Sequence, residues 1–60
     1  MKTIEYRVIY NGYAGAIEEV VRVQARSINS GFTKAVKRAR EPLGNGHVRE
    51  IARIEFWQVV

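Results

Sequence analysis

Sixty residues with ten Lys and Arg, six Glu, no Asp, no Cys and a net charge of +4 describe one small basic domain spanning residues 1–60. With no cysteine, no aspartate and a single histidine, His47, a disulfide staple, a metal site and a Ser-His-Asp triad all lack parts, so no metal, no cofactor and no enzymatic activity are expected. No stretch approaches the ~20 apolar residues of a membrane-spanning helix, and Lys2, Glu5 and Arg7 interrupt the start, so neither membrane anchor nor signal peptide is expected and the predicted location is cytoplasmic.

Ile4, Tyr6, Val8 and Tyr10 alternate with Thr3, Glu5 and Arg7, the period of two that predicts a first strand from Lys2 to Tyr10 with one buried face. Asn11-Gly12 has the composition of a two-residue hairpin turn, but a turn there sets Glu5 against Glu18 and Glu19 opposite Ile4. A wider connection, Asn11 to Ala16, pairs Tyr10 with Ile17, Tyr6 with Val21 and Ile4 with Val23 on one side, and Glu5 with Arg22 and Thr3 with Gln24 on the other. Glu19 opposite Val8 is then out of place. A bulge is the expected correction, with a functional carboxylate as the alternative.

The second strand ends near Ala25, and Ser27, Asn29 and Ser30 are all competent N-caps for a helix that follows at once. Ile28, Phe32, Ala35, Val36 and Ala39 form its narrow apolar stripe, and Lys34, Lys37, Arg38 and Arg40 occupy the opposite side. Pro42 disfavours helical geometry at the residue before it, so the helix should stop near Glu41 and leave through Leu43-Gly44-Asn45-Gly46. Arg49 to Val59 reads as a third strand, with Ala52, Ile54 and Phe56 toward the core, because the opposite choice buries charges.

The predicted fold is α+β with topology ββαβ: a three-stranded sheet in the order 2-1-3, with one helix packed on one face. The other face has no cover within the chain. It is expected to expose Arg7, Ile9, Val20, Arg22, Ile51, Arg53 and Trp57, less polar than a solvated face needs to be.

Two surfaces are therefore candidates for function. The stretch Arg26 to Glu41 carries Arg26, Lys34, Lys37, Arg38 and Arg40 against Glu41 alone, while five cations and five acids balance elsewhere, so the net charge has one source. Cations spaced over nearly two helical turns fit phosphate contacts without base specificity, and these five residues are the predicted nucleic-acid-binding set. A merely solvated face is the ordinary alternative, and the near absence of acids on that side argues against it. On the open sheet face, Arg7, Arg22, Ile51, Arg53 and Trp57 are the predicted protein-interface set, for a protein partner or a second copy in a homodimer. Stacking of unpaired bases on Trp57 is the competing use, but the paired aromatics of RNP-type sheets are absent. His47 reads as a lone loop histidine, Glu18 and Glu19 point to opposite faces of a strand, and Tyr10 and Tyr13 read as packing around the hairpin end.

The hairpin, the Ala25-Arg26-Ser27 entry to a helix with alanines at 35 and 39, the loop bearing Pro42 and Gly44, and a last strand reading Ile51-Ala52-Arg53-Ile54-Glu55 together resemble the small inhibitors of host RNA polymerase made by T7-like phages. The likeness is one of layout and covers roughly Ile4 to Phe56. It implies a viral protein working in the host cytoplasm, docked on a larger nucleic-acid machine through third-strand arginines, of which Arg53 is the matching position. The next matching position carries Glu55, and the helix here is basic where that family's is acidic.

Overall fold

Two runs of alternating residues fold back on each other as a hairpin, β1 (Lys2–Gly12) and β2 (Gly15–Ala25), in the computed structural model, which describes residues 1–12, 14–42, 44, 46 and 48–60. Apolar and charge pairing set the register as expected: Ile4 opposite Val23, Tyr6 opposite Val21, Tyr10 opposite Ile17, and Glu5 opposite Arg22 on the other side. The wide connection is corrected. Pairing continues past Tyr10 through Asn11 with Ala16 and Gly12 with Gly15. Glycine permits this closure, since Gly15 has a φ of +123° and a Cβ on Gly12 would lie 2.9 Å from the Gly15 carbonyl oxygen. The bulge expected at Glu19 is also corrected. The two strands pair without interruption, and Glu19 stays opposite Val8 on the apolar side, where the helix no longer covers β2: Val21, Val23 and Ala25 are buried, while Ile17 and Glu19 are exposed.

The helix, α1 (Ile28–Ala39), starts from Ser27 rather than Asn29 or Ser30. The Ser27 hydroxyl accepts from the Ser30 amide at 3.2 Å and the Ser30 hydroxyl accepts from the Ser27 amide at 3.3 Å, a reciprocal cap that satisfies two orphan donors. Gly31, Ala35 and Ala39, one helical turn apart, are the buried residues, a smaller set than the predicted stripe. Tyr6 explains the difference. Its hydroxyl donates to the Ile28 carbonyl, and a Cβ on Gly31 would fall 2.5 Å from that hydroxyl oxygen and 3.3 Å from Ile4 Cδ1. The helix therefore seats where its side chains are smallest, chiefly over β2, and Ile28 and Phe32 are displaced to its flank, 44% and 41% exposed.

The last strand, β3 (Ile51–Val59), pairs antiparallel with β1 and completes the order β2-β1-β3, which with α1 on one face is the predicted α+β, ββαβ architecture. Its register slips twice. Ile9 pairs with Arg53 but Tyr10 with Ile51, and Tyr6 pairs with Phe56 but Glu5 with Gln58, so Ala52 and Trp57 are each an extra residue. The first slip corrects two expectations: Ile51 leaves the open face and packs against the core, and Ala52 leaves the core side and is exposed. Ile51 is therefore withdrawn from the interface set on the open face. The core comprises Ile4, Tyr6, Val8, Tyr10, Val21, Val23, Ala25, Ala35 and Ala39, with Ile51 and Ile54 packed on it. Among the described residues no helix is long and apolar enough to cross a membrane. The readings of Tyr13 and His47 fall on residues outside those described.

Candidate functional site

Because α1 seats over β2, one flank of the helix stands beside that strand's outer edge, and the residues one turn apart on this flank are cations. Lys34 Nζ donates to the Gln24 carbonyl at 2.6 Å and Arg38 Nη1 to the Arg22 carbonyl at 2.5 Å, so both side chains are laid along the edge rather than extended into solvent. Between helix and edge lies an open groove of about 880 Å³ lined by Thr3, Arg22, Val23, Gln24, Lys34, Lys37, Arg38 and Glu41. Four of these are cations and one is an acid.

Of the five predicted cations, the structure brings Lys34, Lys37 and Arg38 into the groove and leaves Arg26 and Arg40 outside its lining. Arg26 precedes the cap and Arg40 caps the C-terminus, both exposed. None of the five lies within ion-pair distance of a carboxylate among the described residues. The sequence reading missed Arg22 as a groove residue, assigning it to the open face alone. Its carbonyl accepts from Arg38 at the groove while its guanidinium bonds Glu5 on the open face, so it borders both surfaces.

The arginines of the sheet are engaged differently. Arg7 makes a two-point contact with Glu18, Nε to Oε1 at 3.0 Å and Nη2 to Oε2 at 2.9 Å, and its guanidinium lies 6.0 Å from the Trp57 ring centre. The hydrogen bonds hold the Glu18 carboxyl below its ordinary range and raise Arg7 further. Arg53 meets Glu55 at 2.9 Å, and Arg22 meets Glu5 at 2.8 Å. Arg49 bonds Glu19 at 2.9 Å while its guanidinium lies 3.9 Å from the Tyr10 ring centre. Glu19 is thus an ion-pair partner at the end of the sheet. Every sheet arginine has a carboxylate, so a phosphate arriving there has to displace one.

Glu5 is 6% exposed although it sits on the uncovered face. Gln58 Nε2 donates to one of its oxygens at 2.6 Å and Arg22 Nη2 to the other at 2.8 Å; the Gln58 bond first, then Arg22, hold its carboxyl below the ordinary value. Trp57 is 48% exposed beside Arg7. Among the described residues no group of three or more His, Cys, Asp or Glu stands close enough to hold a metal ion.

No protein family, curated protein or solved structure that was compared with the chain matches it.

Proposed function

We propose that this chain is a small non-enzymatic domain that binds nucleic acid by its backbone, with Lys34, Lys37 and Arg38 along the groove and Arg26 and Arg40 extending the field at the two ends of α1. The observation that carries this reading is the division of the cations: the sheet arginines are matched by carboxylates, whereas the helix cations have no acidic partner among the described residues. A cation with no carboxylate partner gains from a phosphate without breaking an ion pair, and several along one groove release several counterions. The contacts are to backbone phosphates, so little sequence preference is expected.

Titration of fluorescent single-stranded and duplex oligonucleotides from 50 to 300 mM salt tests the reading. Binding weakens steeply with salt, and on duplex DNA each lysine removed as Lys34→Ala or Lys37→Ala lowers the salt slope by about 0.9. Arg53→Ala, on the neutralised face, leaves slope and affinity unchanged. Millimolar affinity at the lowest salt, or equal loss from all three variants, removes the proposal. A second reading rests on the half-exposed Trp57 beside Arg7: a protein-binding regulator acting through the open face, of the kind the phage inhibitors represent. It is favoured if Trp57→Ala and Arg53→Ala abolish nuclease-resistant capture of one protein while oligonucleotide binding is absent.

A further inference from the structure

We infer that the outer edge of β3, with the apolar flank of α1 above it, is a homodimer interface in which two copies pair their third strands antiparallel about a two-fold axis at Ile54.

The two edges of the sheet are treated differently. On β2, Lys34 and Arg38 donate to the edge carbonyls of Gln24 and Arg22, which blocks another strand from pairing there. No side chain among the described residues guards β3 in that way, and β3 contains neither proline nor lysine. An unguarded edge is a template for another strand. The apolar surface lies on the same side. Seating of the helix over β2 leaves Ile28 and Phe32 on the flank, with Phe56 of β3 44% exposed beside them, and both Phe32 and Phe56 stand edge-on to Tyr6. An open edge and an apolar flank side by side suit a strand that brings an apolar flank of its own.

Charge selects that strand as a second β3. Between its two slips β3 reads Arg53, Ile54, Glu55, Phe56 in regular alternation. A two-fold axis at Ile54 places each Arg53 opposite the other copy's Glu55, two cross-strand ion pairs on the open side. An axis at Arg53 or at Glu55 puts like charges opposite each other. An axis at Phe56 forms neither ion pair. The segment is thus self-complementary in one register, as a two-fold interface requires. The product is a continuous six-stranded sheet with both helices on one side, and the two cationic grooves lie on its far edges, about 24 Å apart at ordinary strand spacing.

Sedimentation equilibrium on the full chain, with charge-swapped variants, tests it. The wild type is expected to dimerise with a dissociation constant in the micromolar range, and Phe32→Ser to weaken it at least tenfold. Arg53→Glu makes the strand acidic at both positions and Glu55→Arg makes it basic at both, so each variant alone is monomeric. Mixed together they form a heterodimer, because each Arg then faces a Glu across the axis. Rescue in trans is the decisive readout, since loss of the Arg53–Glu55 contact within one strand cannot be repaired by another molecule. Circular dichroism of each variant shows that it is folded. A wild type that is monomeric at 500 µM overturns the proposal and returns the flank to a partner of other chemistry. Folded single variants that still self-associate, or that do not associate when mixed, overturn the register.

Discussion

Glu5 sits almost without solvent in the middle of a sheet face that nothing covers, because its neighbours cover it: Arg22 and Gln58 reach across from the two flanking strands to its two oxygens. Its carboxyl and that of Glu18 are both held below the ordinary range, chiefly by hydrogen bonds from Gln58 and Arg7 respectively. In the unfolded chain these partners are lost and the values return to ordinary, so as pH falls the unfolded state takes up protons first. The contribution to stability is present above the ordinary carboxylate range and is lost as pH falls through the folded values. Urea unfolding between pH 7 and pH 2.5 should show stability falling over the acid limb, with Glu5→Gln and Glu18→Gln each flattening the profile. An unchanged profile in both variants contradicts this assignment. The same pairing explains why Arg7, Arg22 and Arg53 are poor candidates for phosphate contacts despite being arginines.

At the scale of elements, the molecule is organised by how closely α1 approaches the sheet. Gly31 sets that distance, since a methyl group there meets the Tyr6 hydroxyl oxygen at 2.5 Å. Gly31→Ala gains up to about 1 kcal/mol in helix propensity, but forcing the contact apart costs about 1–3 kcal/mol, so net destabilisation is expected in urea melts. Tyr6→Phe removes the hydroxyl, and with it a bond to the Ile28 carbonyl worth about 1 kcal/mol. The double variant should lose less than the sum of the singles, because the obstructing atom is gone; strict additivity places the clash elsewhere. The slips in β3 act on the same scale. By inserting Ala52 and Trp57 they bring Ile51 onto the core and turn Trp57 toward Arg7.

Across the whole molecule, the unpaired cations and the apolar flank of the helix lie on different sides. The unpaired cations stand along α1 and the β2 edge, the ion-paired arginines on the open face, and the exposed Ile28, Phe32 and Phe56 toward β3. A domain of this size has little stability to spare, so any ligand of the folded state should be visible as stabilisation. An oligonucleotide at about a hundredfold over its dissociation constant adds about 2.7 kcal/mol, which at 4–8 °C per kcal/mol raises Tm by more than about 10 °C. Lys34→Glu with Lys37→Glu should abolish that rise at low salt while leaving the free protein's Tm within a few degrees. A rise that survives the double variant moves the binding surface away from the groove.

The hairpin register, the strand order and the single source of net charge were legible in the residue pattern. Period-two alternation and complementary pairs such as Glu5 with Arg22 leave one alignment that keeps apolar side chains together, and a short chain with one crossover has few topologies. The extension of the hairpin to Gly12 opposite Gly15 was hidden by Asn11-Gly12, a strong turn signal that pairs as strand instead. Ile51 and Ala52 were misjudged because a bulge changes which face the residues beyond it occupy, and Glu19 because a local pattern does not show where the helix stops covering β2. The groove was not legible at all. The sequence by itself determined that the helix is cationic, because charge is a property of composition and spacing. Only the tertiary structure decided which cations are unpaired and what they face, because Gly31 admits Tyr6, seats α1 over β2, and so brings Lys34 and Arg38 to the strand edge beside Arg22.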